Sequence, residues 1–378
     1  MLTGAANDAV RGNRAEGWLE QTRSPVVARN GMVTTSQPLA AQAGLRILMQ
    51  GGNAIDAAVA TAAALNVTEP MNVGFGGDLF ALVYIAKEHR IHALDASGTA
   101  PTGATLARMH ALGYAYDPTD WGPGSGMPSG GILDVTVPGA AWGWDEILRR
   151  YGTMKLPRVL APAVDYAANG FPVSERIARE WVLPNALPLR ACCTRLDPDS
   201  VATWYVGGAP PAQGQIFRNP QLARTLVLLG ERGPDIFYKG EIARAIVAKS
   251  HDLRGTMTLA DLAAYRGIWT DPVRTTYHGY DVMELPPPSQ GFAANEALNI
   301  SKNASQNSRR AKRSHRLAQQ VLSIGTFSLR RRNSHTPTCT RTTPTRNSRR
   351  RRSRVCSRTH TLRRCVRRSI RRAHRALS

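Results

Sequence analysis

The stretch of sequence that decides the fold reads Leu48-Met49-Gln50-Gly51-Gly52-Asn53-Ala54-Ile55-Asp56-Ala57-Ala58-Val59-Ala60. Its paired glycines predict the end of a helix that begins at Pro38, because glycine adopts the backbone conformations in which helices terminate. Asn53 is placed to cap a second helix, predicted over 54–66. That helix is apolar on nearly all sides, which is typical of a helix buried in a protein core.

The residues that follow predict a β-hairpin. A glycine-rich turn at 74–77 precedes the apolar run 79–85, and a polar turn separates this run from a second one at 91–95. Because 79–85 is apolar almost without interruption, we expect this strand to be covered on both faces. We interpret Asp78 either as a ligand contact or as a carboxylate that accepts hydrogen bonds from backbone N–H groups.

Local patterns predict further elements along the chain. Segments that are rich in β-branched residues or that alternate loosely are interpreted as strands, at 26–36, 135–138 and 275–285. Helices are predicted over 139–151, in pieces over 157–181, and over 220–229 and 241–249. Thr258 and Asp261 have the spacing of a capping box at a helix start.

The positive charge of the chain is confined to its C-terminal part. The formal net charge is +22, but residues 301–378 hold 22 Arg and 2 Lys and no Asp or Glu. The preceding residues carry 25 basic and 27 acidic side chains, so the body is close to neutral. A near-neutral domain has no electrostatic reason to bind phosphate, and the charge therefore says nothing about the function of the body.

Residues 301–378 allow two interpretations. With little apolar surface to offset the entropy of ordering, this segment is expected to be disordered. One interpretation is an arm that binds nucleic acid, since arginine runs bind phosphate. The other is a shift of reading frame, which is favoured by the abrupt change, the lack of acids and a single aromatic residue, Phe327. We favour the frame shift and expect no nucleic-acid partner.

Three regions are predicted: a flexible arm at 1–25, a globular domain at 26–300 and the Arg-rich segment at 301–378. The N-terminus has no continuous apolar stretch and the chain has no long apolar run, so we expect no signal peptide and no membrane-spanning helix. The globular domain holds only two cysteines, Cys192 and Cys193, which excludes a disulfide-rich secreted scaffold. These features predict a cytoplasmic protein.

Short motifs in a fixed order carry a resemblance to a known family. They lie at 30–33, 48–60, 74–80, 137–139, 151–154, 233–240 (Gly-Pro-Asp-Ile-Phe-Tyr-Lys-Gly), 261–265 (Asp-Leu-Ala-Ala-Tyr) and 286–291 (Pro-Pro-Pro-Ser-Gln-Gly). Each motif is weak alone, but together they are specific. The chain resembles the gamma-glutamyltransferase family, also called gamma-glutamyltranspeptidases or glutathione hydrolases, which are N-terminal-nucleophile (Ntn) hydrolases. The resemblance implies an α+β fold, the N-terminal large-chain part of an αββα sandwich.

The resemblance also implies a chemistry. In such a self-cleaving precursor the new N-terminal threonine attacks a gamma-glutamyl or related amide, its α-amine acts as base, and glycine N–H groups hold the oxyanion. The implied partners are this small-molecule amide and a small chain that carries the nucleophile; no cofactor is implied. The nucleophile segment follows the triple proline in the family, whereas the match here ends near Ile300. Thr342 and Thr343 lie among residues unlike that segment. We therefore assign no catalytic residue and expect the chain alone to be inactive.

One segment is a candidate for substrate binding. Residues 95–101 (Asp-Ala-Ser-Gly-Thr-Ala-Pro) resemble the place where the family carries an arginine for the α-carboxylate of the glutamyl group. Ser97, Gly98 and Thr99 occupy the positions concerned. An arginine fork makes charge-assisted hydrogen bonds of roughly 1.5–3 kcal/mol each, which a hydroxyl does not replace. We therefore expect a complete enzyme with this segment to prefer a different acyl group.

No metal site is predicted. The sets considered are His89, His92 and His110 in the body, and Cys339, Cys356, His360 and Cys365 in the basic segment. Neither set has the spacing of a metal-binding motif. We interpret the histidines of the body as surface or turn residues.

Overall fold

The computed structural model of the protein describes residues 26–114, 131–181 and 197–305. The predictions for the N-terminal arm at 1–25, for Cys192 and Cys193, and for residues 306–378 lie outside the described residues. All described residues belong to one compact unit of the chain. In the described part of the chain, no helix has both the length and the apolar composition that crossing a bilayer requires.

The described residues form helices joined by short antiparallel strands. The helices are α1 (Pro38–Met49), α2 (Ala54–Thr68), α3 (Leu106–Ala111), α4 (Ala140–Tyr151), α5 (Leu156–Asn169), α6 (Glu175–Glu180), α7 (Pro198–Trp204), α8 (Pro220–Arg232), α9 (Asp235–Tyr238), α10 (Glu241–Asp252), α11 (Leu259–Ala264) and α12 (Gly291–Ser305). The strands are β1 (Leu79–Ile85), β2 (Arg90–Ala96), β3 (Phe171–Pro172), β4 (Ile216–Phe217), β5 (Ile268–Thr270), β6 (Val273–Tyr277) and β7 (Tyr280–Glu284).

The central helix of the core is α2. A capping box closes its N-terminus: the Asn53 side chain accepts hydrogen bonds from the amides of Ile55 and Asp56, and the Asp56 carboxylate accepts one from the Asn53 amide. Ten of its fifteen residues are buried, and it packs against α1, α4 and α5. Gly51 has φ +90, which glycine adopts without strain. The prediction of two helices separated by paired glycines is confirmed.

The three-stranded sheet has the order β1-β2-β5 and is antiparallel throughout. Its inner face, which includes Val83 and Leu94, joins the core that α2 and α4 form. The predicted hairpin is therefore confirmed. The expectation that β1 is covered on both faces is wrong, because the helices cover only one of them. Alternate side chains point away from the helices, and Phe80 and Leu82 remain 42% and 40% exposed.

The exposed apolar side chains on the uncovered face of this sheet lie on its two outer strands, β1 and β5. Tyr84 is 60% exposed and Ile268, on β5, is 64% exposed. Pairing of Phe80 with Asp95 and of Asp95 with Ile268 places these strands side by side with their side chains on the same face. We call Phe80, Leu82, Tyr84 and Ile268 the outer face. β1 is also an edge strand, so its outer backbone groups have no strand partner among the described residues.

Two predicted strands are absent from the described residues. Residues 26–36 form no strand, since their β-branched side chains are largely exposed and no neighbouring strand pairs with them. Residues 135–138 also form none: the Val137 amide donates to the Thr99 carbonyl, but α4 begins before a ladder develops. Composition indicated extended backbone in both places, but a strand also requires a partner.

The predicted strand at 275–285 is two strands. β6 and β7 form a hairpin whose turn residues, His278 and Gly279, have φ of 49 and 84. Positive φ at both central residues is the conformation that a tight hairpin turn requires. α12 packs on this hairpin and ends at Ser305, so it crosses the boundary predicted at residue 300.

The other predicted helices are confirmed within a few residues. α5 packs against both α2 and α8, and α10 follows α9. The capping box is present, with the Asp261 amide donating to Thr258 Oγ1 and the Asp261 carboxylate accepting from the Thr258 amide. These elements form the helical side of the core.

Candidate functional site

The predicted substrate-binding segment, Ser97 to Thr99, follows β2 directly and its backbone is fixed by four hydrogen bonds. The Ser97 amide donates to Asp95 Oδ1 at 2.8 Å, and the Gly98 amide donates to Asp78 Oδ1 at 2.6 Å. The Ser97 carbonyl accepts from the Tyr265 hydroxyl at 2.8 Å, and the Thr99 carbonyl accepts from the Val137 amide at 2.9 Å. Three of these four partners, Asp78, Val137 and Tyr265, are distant from the segment in sequence.

The second feature of this segment is its two side-chain hydroxyls, those of Ser97 and Thr99. Ser97 is half-buried and Thr99 is exposed. Among the described residues, neither side-chain hydroxyl has a hydrogen-bond partner. Each hydroxyl can both donate and accept, so the segment offers neutral polar groups rather than a fixed positive charge.

Position 98 requires glycine, because neighbouring atoms occupy the space that a side chain would need. A Cβ at this position would lie 2.2 Å from Thr136 Oγ1 and 2.6 Å from the Val137 carbonyl oxygen. Because part of that obstacle is backbone, a side chain at position 98 would displace the segment. Because residue 98 has no side chain, the segment packs directly against residues 136–137, which precede α4.

The glycine-rich turn before β1 lies beside this segment. The Gly77 carbonyl accepts hydrogen bonds from the amides of Gly139 and Ala140, each at 2.9 Å, and so joins the turn to the start of α4. Asp78 then reaches Gly98. Of the two interpretations of Asp78, the carboxylate that satisfies a backbone N–H is confirmed, although the N–H belongs to the end of the neighbouring strand.

Tyr265, which contacts the segment, stacks on Tyr238, and neither tyrosine was predicted from the sequence. The rings of Tyr238 and Tyr265 lie 5.7 Å apart with an interplanar angle of 9°. The Tyr238 hydroxyl donates to the Pro138 carbonyl at 2.8 Å and accepts from the Trp142 amide at 3.0 Å. Burial raises the pKa of both phenols above the usual value, so both remain neutral donors. Tyr238 lies in the motif at 233–240 and Tyr265 in the motif at 261–265. Membership of these motifs was the sequence signal that could have identified the two tyrosines.

The charges next to the segment are negative. Asp78 and Asp95 both contact its backbone, and in the described part of the chain neither forms an ion pair with a Lys or Arg. Arg266 follows Tyr265 in sequence, but its guanidinium donates to the carbonyl oxygens of Ala263 and Tyr265. Among the described residues, no guanidinium is found in the place of the arginine that the resemblance leads one to expect in the segment 95–101.

The histidines of the body make ordinary surface contacts. His92 Nε2 lies 2.6 Å from Glu88 Oε2, and His89 Nδ1 lies 3.5 Å from the Tyr84 hydroxyl. The described residues contain no group of three His, Cys, Asp or Glu side chains that could hold a metal ion. The cysteines considered as ligands, Cys339, Cys356 and Cys365, lie outside the described residues.

Comparison with known proteins identifies the family. The family model described as gamma-glutamyltranspeptidase matches residues 40–335, and so continues past residue 300, where the sequence analysis ended the resemblance. The glutathione hydrolase-like YwrD proenzyme of Bacillus subtilis is 38% identical over 74% of this chain and 50% of its own length. The acylase ACY 1 proenzyme of Pseudomonas sp. is 37% identical over 74% of this chain and 49% of its own. The chain thus spans about half the length of the curated relatives it matches.

Solved structures agree with this result. The gamma-glutamyltranspeptidase of Helicobacter pylori has a TM-score of 0.67 at 30% identity and covers 79% of this chain and 84% of that chain. The cephalosporin acylase of Bacillus halodurans has a TM-score of 0.65 at 39% identity and covers 75% of this chain and 52% of that chain. The predicted fold class, the large-chain part of an Ntn hydrolase, is confirmed. The chain belongs to the gamma-glutamyltranspeptidase family.

Proposed function

We propose that this chain is the large-chain part of an amide-cleaving acyltransferase or hydrolase, whose nucleophile is the N-terminal threonine of a small chain. The observation that carries the proposal is the Ser97–Thr99 segment, which is fixed at the end of β2 and whose two hydroxyls have no hydrogen-bond partner among the described residues, in a chain that matches about half the length of its relatives. The chain contributes substrate contacts, and no catalytic residue is assigned to it.

The proposed reaction follows the family. The threonine hydroxyl attacks the amide carbonyl, the α-amine of the same threonine takes the hydroxyl proton, and glycine N–H groups stabilise the oxyanion. Collapse breaks the C–N bond, and the protonated α-amine returns the proton to the leaving nitrogen. Water, or the amine of an acceptor, then cleaves the resulting ester. In this scheme Ser97, Gly98 and Thr99 hold the far end of the acyl group while the carbonyl faces the small chain.

The substrate class is proposed to differ from gamma-glutamyl amides. Ser97 and Thr99 stand in the segment where the resemblance places a carboxylate-binding arginine, and the charges nearby are those of Asp78 and Asp95. A free carboxylate at this position would lose charge-assisted hydrogen bonds and would meet like charge. That two of the relatives are named acylases is in keeping with an acyl group other than gamma-glutamyl.

The small chain is proposed to cover the outer face and the edge of β1. The outer face exposes four large apolar side chains, with Asp95 between Phe80 and Ile268, and among the described residues the outer edge of β1 has no strand partner. Exposed apolar faces and open strand edges are features that a partner chain covers. The hairpin of β6 and β7 is a second site for added strands, since a two-stranded sheet is marginal by itself.

For the basic segment at 301–378 we propose a change of reading frame, and its absence of acids and near-absence of aromatic residues are the support. Because the family match continues to residue 335, the change is to be sought between codons 300 and 335. Translation of the gene in the other frames should recover a family continuation that contains the nucleophile segment. The alternative, a nucleic-acid-binding arm, predicts affinity that falls steeply with salt. The cytoplasmic location and the three-region division stay predictions.

Amide turnover with and without a small chain tests the proposed function. The purified 378-residue chain should not hydrolyse an acyl anilide, whereas the same chain mixed with the small chain of a family member should. A small chain whose N-terminal threonine is replaced by alanine is the control and should abolish turnover. Turnover by the 378-residue chain alone, or none by a complex that forms stably, would contradict the proposal.

A further inference from the structure

Two carboxylates contact the acyl-binding segment, and within the described residues neither forms an ion pair with a Lys or Arg. Asp78 Oδ1 lies 2.6 Å from the Gly98 amide nitrogen, and Asp95 Oδ1 lies 2.8 Å from that of Ser97. Asp78 is exposed, and within the described residues its second oxygen, Oδ2, has no hydrogen-bond partner. The other oxygen, Oδ1, is bonded to the amide of Gly98, the residue between Ser97 and Thr99, so the carboxylate of Asp78 lies at the segment.

The negative potential of these carboxylates reaches the segment itself. Burial is the largest cause of the raised pKa of Tyr265, and the charges of Asp95 and Asp78 add to it. The Tyr265 hydroxyl is the group that contacts the Ser97 carbonyl, so both charges act at the segment. An anionic ligand group placed there would meet the repulsion that disfavours the tyrosinate, whereas a cationic group would be attracted.

We propose that Asp78 is a specificity-determining residue of this site, and that it selects acyl groups whose far end carries an ammonium rather than a carboxylate. The ammonium has three donors; Asp78 Oδ2 accepts one, and the Ser97 and Thr99 hydroxyls can accept the others. This inference rests on the proposed function, because it assumes that the segment binds the acyl group. It concerns the binding of that group and not the cleavage step.

The test uses two amides that have the same carbon chain and differ in the group at its far end, which is an ammonium in one and a carboxylate in the other. 4-Aminobutyramide carries an ammonium where glutaramate carries a carboxylate, and isothermal titration calorimetry of the purified 378-residue chain gives a Kd for each. The chain should bind the ammonium amide about tenfold more tightly at low salt. Asp78→Asn, which keeps an oxygen for the Gly98 amide but loses the charge, should reduce this ratio to about twofold or less.

Two further variants complete the design. Asp252→Asn removes the same charge from an exposed position at the end of α10 and should leave the ratio unchanged. Ser97→Arg introduces a cation at the segment and should make the chain bind glutaramate more tightly than 4-aminobutyramide. This variant still tests the inference if Asp78→Asn does not fold. Equal or tighter binding of glutaramate by the parent chain, a preference that survives Asp78→Asn, or no binding of either amide would overturn the inference.

The outcome is separable from that of the proposed function, because titration requires no turnover. Activity of the two-chain complex without an ammonium preference would refute this inference alone. An ammonium preference without activity of the complex would support it and contradict the proposed catalysis.

Discussion

The Tyr265 hydroxyl donates a hydrogen bond to the Ser97 carbonyl oxygen at 2.8 Å, across 168 residues of sequence. Tyr265 is buried and stacks on Tyr238, so its position is set before any ligand binds. Tyr265→Phe removes only this hydrogen bond and should lower the free energy of unfolding by about 1 kcal/mol. Urea unfolding measures the change. Tyr280→Phe, at an exposed tyrosine of β7, is the control and should have no effect; equal values for the two variants would contradict this role.

Asp56 joins the start of α2 to the turn after α4. Its carboxylate accepts hydrogen bonds from the amides of Asn53, Thr153 and Met154 and from the Thr153 hydroxyl, and its side chain is fully buried. An asparagine has one acceptor oxygen and would turn an NH₂ group toward donors. Asp56→Asn should therefore reduce the free energy of unfolding by about 3 kcal/mol in urea titrations. Asp252→Asn, at an exposed carboxylate, is the control. If Asp56→Asn lowers the free energy of unfolding as little as this control does, the Asp56 carboxylate does not hold the two helices together.

Gly98 and Gly74 form a matched pair of substitutions. Gly98→Ala forces a Cβ against Thr136 and Val137 and should cost about 1–3 kcal/mol of stability. A Cβ at Gly74 would have no neighbouring atom within 4 Å, so Gly74→Ala should change stability by less than about 0.5 kcal/mol. Thermal unfolding of both variants checks the difference. Equal melting temperatures would mean that the segment adjusts without cost.

Asp261 should give the chain a stability that depends on acid pH. Burial alone would raise the pKa of this carboxyl, but hydrogen bonds from Thr102 and Thr258 lower it below its usual value. A lowered folded-state pKa stabilises the fold above the unfolded-state value, about 4, and the gain is lost as pH falls through the folded-state pKa. The difference in melting temperature between the parent chain and Asp261→Asn should therefore be largest near neutral pH and shrink below pH 4. A difference that is constant with pH would contradict this assignment.

The outer face should bind the small chain. Leu82→Lys places a charge on it and should weaken the complex more than about tenfold, measured by titration of one chain into the other. Leu82 is 40% exposed, so the substitution should leave the melting temperature of the isolated chain nearly unchanged. Val227→Lys, at a valine of α8 that is 37% exposed on the helical side, is the control. Equal affinities of the two variants would place the small chain elsewhere.

Local signals in the sequence predicted the helices and their ends well. The paired glycines before Asn53 and the capping box at Thr258 act through residues that are near neighbours in the chain, and both were predicted correctly. Strands were harder, because a strand depends on a partner that composition does not reveal. Residues 26–36 and 135–138 have β-branched side chains but no strand beside them.

The site was predictable only in part, because it too depends on partners that the local sequence does not reveal. The motif order identified the family and directed attention to Ser97, Gly98 and Thr99, whose role stays a prediction. The contacts that fix them come from Asp78, 20 residues before Gly98, and from Tyr265, 168 residues after Ser97. Asp78 and Tyr265 lie in the motifs at 74–80 and 261–265, but a local motif does not reveal which distant residues meet in the tertiary fold.

The mass of the acyl-enzyme tests the central claim most directly. The 378-residue chain and the small chain of a family member are mixed with a slowly turned-over acyl anilide, quenched in acid, and each chain is weighed intact by mass spectrometry. We predict that the acyl group is found on the small chain, on its N-terminal threonine, and that the mass of the 378-residue chain is unchanged. An acyl adduct on the 378-residue chain would show that the chain carries its own nucleophile and would contradict the account.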